Sequence, residues 1–176
     1  MDETDPVTGL ARESFGIRYL YPYQRLVVAN ILDEVDAAGK GIDGEAARQV
    51  VILPTGAGKS LCFQLPAALC PGPTLIVYPL LGLQSDQERR LASTDIKAVV
   101  LKGGMTAGER AEAYEAVRSG SARIIIANPE IVAVPAVTKF LASAAVFHFV
   151  VDEAHCVAER SEEHTSELQS RIPISY

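Results

Sequence analysis

Leu53-Pro54-Thr55-Gly56-Ala57-Gly58-Lys59-Ser60, entered from the apolar run Gln49-Val50-Val51-Ile52, decides the fold of this chain. A glycine-containing turn between a strand and a helix aims successive backbone N–H groups at one point. The helix N-terminus adds its partial positive charge there. Such a cradle, running here from Thr55 through Ala57 to Ser60, suits a group carrying several negative charges, such as a triphosphate. Gly56 and Gly58 permit close approach and unusual dihedrals. The pattern assigns Lys59 to the β- and γ-phosphates and the Ser60 hydroxyl to magnesium. It has glycine where this chain has Leu53, so the match misses one position.

A second string follows downstream, where Phe147-His148-Phe149-Val150 runs into Val151-Asp152-Glu153-Ala154-His155. An aspartate at the end of an apolar strand can hold magnesium through water, because that ion keeps several waters and takes few protein carboxylates. Asp152 fits this role, and Glu153 is positioned to polarise an attacking water. An acidic pair after a strand, taken alone, reads as a helix cap. Preceded by the phosphate turn, it reads as the catalytic half of a nucleotide site.

Length and composition agree with one globular α/β domain: 176 residues, 48% hydrophobic, with no tract that reads as disordered. The acidic start Met1-Asp2-Glu3-Thr4-Asp5 is unlike a signal peptide, and the apolar stretch from Ala142 to Val151 is too short to span a bilayer. Cys62, Cys70 and Cys156 have no C-x-x-C spacing and read as reduced thiols of a cytoplasmic protein. The net charge of −6 gives no global attraction to nucleic acid, so any such contact must be a local patch.

The elements alternate along the chain. Tyr23 to Ala37 reads as an amphipathic helix, 39–47 as a polar loop and Gln49 to Leu53 as a strand. A helix is expected from Lys59 to about Leu69, bent or shortened by Pro66. Strands follow at Thr74–Tyr78, Lys97–Leu101, Arg123–Asn128 and Val146–Val151, with helices near 83–91 and 107–119, the latter stopped by Gly120. Strands apolar throughout indicate a parallel sheet covered by helices on both faces.

Five strings in this order resemble a known family: FGIRYLYPYQ at 15–24, LPTGAGKSLCFQLPA from 53, YPLLGLQSDQ at 78–87, ANPE at 127–130, and VVDEAHC from 150. The segment Phe15–Glu159 looks like the first RecA-like lobe of a superfamily 2 ATP-dependent DNA helicase, most closely of the RecQ type. The fold implied is a RecA-like P-loop lobe, here truncated, and the cofactors implied are ATP and Mg2+. By the same resemblance Gln24 reads the adenine, and 78–87 with 127–130 line a path for single-stranded or forked DNA. His155 couples the nucleotide site to the DNA-binding surfaces. Other superfamily 2 translocases, or a nucleotide-binding fragment without turnover, remain alternatives. Ile17, Leu20, Tyr21 and Tyr23 stand where the family has Tyr, Phe, Arg and Gly, so the surroundings expected of the adenine are altered. Tyr78 replaces a common Ser and Asn128 a common Thr.

The resemblance stops at Glu159. Arg160 to Ser170 can be back-translated into a common short-read sequencing adapter, and Ile174-Ser175-Tyr176 into that adapter's next constant part. Residues 160–176 are therefore expected to be a non-native tail, and 1–159 an incomplete ATP-binding domain. The family's next strand sits between the strand before the phosphate turn and the strand before Asp152. Its absence is expected to leave backbone groups unpaired there, at about 1–3 kcal/mol each if buried.

Overall fold

A computed structural model of the chain describes residues 5–39, 48–79 and 81–154. They fall into two compact units that divide between Cys70 and Pro71.

The first unit is helical among its described residues. Helix α1, Pro6–Phe15, begins at a proline, whose fixed φ suits a first helical turn. The Asp5 carboxylate caps it, accepting the Val7 N–H at 3.1 Å and the Thr8 hydroxyl at 2.7 Å. Helix α2 spans Pro22–Gly39 and α3 spans Lys59–Leu69. Ala11, Leu20, Val28 and Leu65 close the core between them. Arg25 reaches the Asp5 carboxylate at 2.7 Å but is half exposed, so this pair contributes at most about 1 kcal/mol. Helix α3 runs through Pro66 without breaking, and the Cys70 N–H closes onto the Pro66 carbonyl at 2.7 Å. Cys62 and Cys70 are buried, whereas Cys156 lies outside the described residues.

The expected strand from Gln49 to Leu53 does not form. Residues 48–54 carry no strand, and the Val50 and Ile52 side chains are 87% and 90% exposed. A strand is held by its neighbours, and among the described residues none pairs with this run. Apolar, β-branched sequence supplies the propensity for a strand but no partner.

The second unit is an α/β sheet. Its elements are β1 (Thr74–Val77), α4 (Leu81–Ala92), β2 (Ala98–Leu101), α5 (Ala107–Arg118), β3 (Ile124–Ala127), α6 (Pro129–Val132), α7 (Pro135–Ser143) and β4 (His148–Val151). All ladders are parallel, in the order β2-β3-β1-β4. The register is level, with Val77 opposite both Ala127 and Val151, and Leu101 also opposite Ala127. Central β1 and β3 are buried at every position, which accounts for their unbroken apolar sequence, while β4 alternates half-buried and exposed.

One face packs Leu75, Val77, Leu101, Ile125 and Ala127 against Val117 of α5 and Val137, Phe140 and Leu141 of α7. Tyr114 stacks on Phe140 with ring centroids 3.7 Å apart, and the Arg118 guanidinium lies 5.5 Å from the centre of that ring. On α5 a complete capping box fixes the first turn: the Thr106 hydroxyl accepts the Glu109 N–H, and the Glu109 carboxylate accepts the Thr106 N–H at 2.7 Å.

His148, at the start of β4, is half-buried with its Nδ1 3.4 Å from the Thr74 hydroxyl, and burial lowers its pKa below the ordinary 6.5. The folded state therefore binds its proton less readily than the unfolded chain. The resulting stability is fully present above about pH 6.5 and is lost as the pH falls through that value towards the lowered one. The thermal midpoint is expected to drop between pH 8 and pH 5, and a His148→Leu variant to show a shallower drop; equal slopes would remove His148 as the cause.

Candidate functional site

In the first unit the phosphate turn is a tight loop ending at the N-terminus of α3. The Ala57 N–H donates to the Pro54 carbonyl at 3.2 Å, Gly56 and Gly58 adopt φ of 80° and 74°, and Gly58 caps α3. Lys59 and Ser60 are thus the first two residues of a helix of 11 residues, where the helix end favours anions.

Helix α2 holds this loop from behind. The Tyr23 hydroxyl donates to the Ala57 carbonyl at 3.0 Å. The Gln24 Nε2 amide donates to the Ala57 carbonyl at 3.2 Å and the Gly58 carbonyl at 3.3 Å. At the other end of that side chain Oε1 accepts the Tyr21 N–H at 3.0 Å. Gln24 is 2% exposed, so the residue assigned to adenine has its amide turned onto the loop. This contact gives Gly58 a second reason to be glycine, because a Cβ there would lie 2.6 Å from the Gln24 Nε2.

In the second unit the level parallel register brings the strand C-termini to one edge of the sheet, where open α/β sheets place their ligands. Tyr78, Lys102, Asn128 and Asp152 each follow directly on a strand. The Asp152 N–H donates to the Val77 carbonyl at 3.1 Å, and its carboxylate accepts the Glu153 N–H at 3.0 Å. Glu153 sits at φ 50°, a left-handed conformation that costs a non-glycine residue about 1–3 kcal/mol. Both are half-buried. His155 lies outside the described residues. Tyr78 is wholly buried and its hydroxyl has no hydrogen-bond partner among the described residues. Burial first, and the Asp152 carboxylate second, push its pKa far above the usual phenol range.

A groove of about 460 Å³ opens on this same edge, lined by Ser85 and Glu88 of α4, Lys102 and Gly103 after β2, and Asn128 and Glu130 after β3. It joins the two strings assigned to a nucleic-acid path. The Asn128 Oδ1 accepts the Ile131 N–H at 2.9 Å and so caps α6. Lys102 and Gly103 were not among the expected site residues. The signal for them was a Gly-Gly pair directly after a strand, where Gly104 takes φ 79°. Tyr23 was also missed as a site residue, because its contact with Ala57 spans 34 positions.

The donors assigned to magnesium are the Ser60 hydroxyl and the Asp152 carboxylate. Both are hard oxygen ligands and few in number, which is what that ion takes from protein. Among the described residues there is no cluster of three His, Cys, Asp or Glu side chains able to form an all-protein metal cage.

Residues 21–175 match the DEAD/DEAH box helicase family. The chain is 42% identical over 113 residues to an ATP-dependent DNA helicase Q-like 5 of Arabidopsis thaliana, covering 64% of this chain and 12% of that protein. It is 33% identical to an ATP-dependent DNA helicase RecQ of Pasteurella multocida (71% of this chain, 19% of that protein). It is 39% identical to a probable ATP-dependent DNA helicase RecS of Bacillus subtilis (62% and 22%). This chain therefore spans between 12% and 22% of the length of these relatives. Among solved structures, the DUF1998 helicase MrfA bound to DNA and AMPPNP is similar with a TM-score of 0.58 at 23% identity, over 88% of this chain and 22% of that one. That likeness shows the α/β fold of a helicase lobe. The family match runs on to residue 175 and marks no boundary at Glu159.

Gly58→Ala and Gly56→Ala separate the two demands on the loop. Both place alanine at positive φ, at about 1–3 kcal/mol each, but a Cβ on Gly56 meets nothing within 4 Å. Gly58→Ala is expected to be the more destabilising in denaturant titrations, since it also displaces the Gln24 amide; equal losses would show that the Gln24 contact contributes nothing.

Proposed function

Because this chain belongs to the DEAD/DEAH box helicase family, we propose that it is the nucleotide-gripping lobe of a RecQ-like ATP-dependent DNA helicase. The observation that carries the reading is that one chain holds a phosphate turn at the N-terminus of α3 and, in its second unit, Asp152-Glu153 at the carboxyl end of a parallel strand. In this reading Thr55 to Ser60 cradle the triphosphate and Lys59 neutralises its terminal charge. Ser60 and Asp152 hold magnesium, directly and through water, and Glu153 orients the attacking water. Magnesium, when bound, supplies charge neutralisation at the phosphates. Gln24 and the altered residues around it face the base, and His155 links turnover to DNA.

Single-stranded or forked DNA is the proposed substrate, running over the groove between α4, Lys102 and Asn128. With the Glu88 and Glu130 carboxylates against the single Lys102 ammonium, its lining carries little positive charge, so contacts to the sugar-phosphate backbone through polar and N–H groups suit it better than charge pairing. The support from relatives is that the MrfA structures are of a helicase bound to DNA. No described helix is long and apolar enough to cross a membrane, and a cytoplasmic location belongs to the same proposal. The division into an ATP-binding segment, 1–159, and an adapter-derived tail, 160–176, is likewise proposed on the codon reading alone; sequencing the source locus checks it, and native codons through Tyr176 would refute it.

A second reading is favoured by the strandless 48–54 segment: the chain as it stands binds Mg·ATP without turning it over. Lys59→Ala is expected to weaken Mg·ATP binding about tenfold or more, the worth of a charge-assisted hydrogen bond. In a longer protein carrying this lobe, DNA-stimulated hydrolysis should vanish in Glu153→Gln while ATP binding persists. Turnover by the 176-residue chain itself would exclude the second reading, and unchanged turnover in Glu153→Gln would remove Glu153 from its role.

A further inference from the structure

Three tyrosines alternate before and at the start of α2. Tyr21 and Tyr23 stack in parallel, with centroids 5.4 Å apart and 5° between planes, and Tyr19 meets Tyr21 edge-on at 5.6 Å. The stack sets the ring of Tyr23, and its hydroxyl lands on the Ala57 carbonyl beside the Gln24 amide. Resting against the loop removes water from that hydroxyl, and with the nearby Tyr21 and Cys62 this raises its pKa, so it keeps its proton at neutral pH and can donate.

We infer that Tyr23 is a positioning residue for the phosphate turn: with Gln24 it clamps the Ala57 carbonyl and so fixes the loop in its anion-gripping form, whichever base the nucleotide carries. The inference rests on the nucleotide reading above and assigns a role to a tyrosine that stands where the family pattern has glycine. Its physical basis is the planarity of the peptide bond. The Ala57 carbonyl and the Gly58 N–H belong to one trans peptide and point in opposite directions. Holding the oxygen onto α2 therefore turns the Gly58 N–H away from α2. The Gln24 bond to the Gly58 carbonyl does the same for the Lys59 N–H. Two successive donors of the cradle are thus aimed from behind, before any anion arrives.

Base indifference follows from the same contacts. The Gln24 Nε2 hydrogens go to two loop carbonyls and its Oε1 accepts the Tyr21 N–H, so this amide braces the loop beside the Tyr23 hydroxyl, whose own bond is to loop backbone. Loss of the Tyr23 hydroxyl should weaken every triphosphate alike.

Tyr23→Phe keeps the ring stack and deletes only the donor. With the full chain, two measurements are made on wild type and variant: dissociation constants for Mg·ATP, Mg·GTP and inorganic tripolyphosphate, and amide hydrogen exchange without ligand. The expected result is a loss of about three- to tenfold in affinity, equal for all three anions, the worth of one hydrogen bond. Exchange should be faster at 55–60 and unchanged in α5 and α7. If wild type binds the anions and the variant binds them equally well, the positioning role is overturned while the nucleotide reading stands. Weakening confined to Mg·ATP would also overturn it, placing the tyrosine at the base. If wild type binds none of the three, the nucleotide reading itself fails and takes this inference with it.

Discussion

Level parallel pairing of β1 with β3 and β4 is the constraint on which the second unit depends. Parallel ladders place every strand's carboxyl end on the same side, and a level register puts Val77, Ala127, Leu101 and Val151 in one row. The residues that follow, Tyr78, Asn128, Lys102 and Asp152, therefore line up along one edge although 74 positions separate the first from the last of them in the chain. A shift of one residue in any ladder would turn the buried positions of that strand to the wrong face, so the core that packs Leu75, Ile125 and Phe140 also fixes the edge. The same row explains the Asp152 backbone bond to Val77, which ties the acidic pair to a strand buried at every position.

In the first unit the equivalent constraint is a single carbonyl. Ala57 offers its oxygen to two donors of α2, Tyr23 and Gln24, and the loop's shape depends on that meeting. Gly58 must lack a side chain for the Gln24 amide to come so close. Rigidity at a phosphate turn has a functional meaning, because donors aimed in advance cost no reorganisation when charge arrives.

Much of this was legible in the residues. The unbroken apolar runs Thr74–Val77 and Ile124–Ala127 read as buried parallel strands and are buried at every position. The helix expected over 107–119 forms as α5, with Gly120 at positive φ just past its end. The short N-terminal helix α1 went unread because Gly9 and its polar neighbours blur the apolar spacing, although Asp5-Pro6 is a sound start signal. Helix α7 follows a proline in an apolar stretch where period alone does not separate helix from strand. The 49–53 run failed for a different reason: its β propensity is genuine, but a strand also needs a partner, and propensity says nothing of that. The Tyr23 and Gln24 contacts were illegible because they join positions more than thirty residues apart.

The phosphate turn lies in the first unit and the Asp152-Glu153 pair in the second, and the proposed function has one nucleotide engage both segments. Paramagnetic broadening of amide resonances by Mn2+·ATP, in place of Mg2+, tests this most directly. The account predicts that residues 55–60 and 151–153 broaden together at substoichiometric Mn2+ and that both recover when the metal is chelated. Broadening confined to one of the two segments, or to neither, would contradict it.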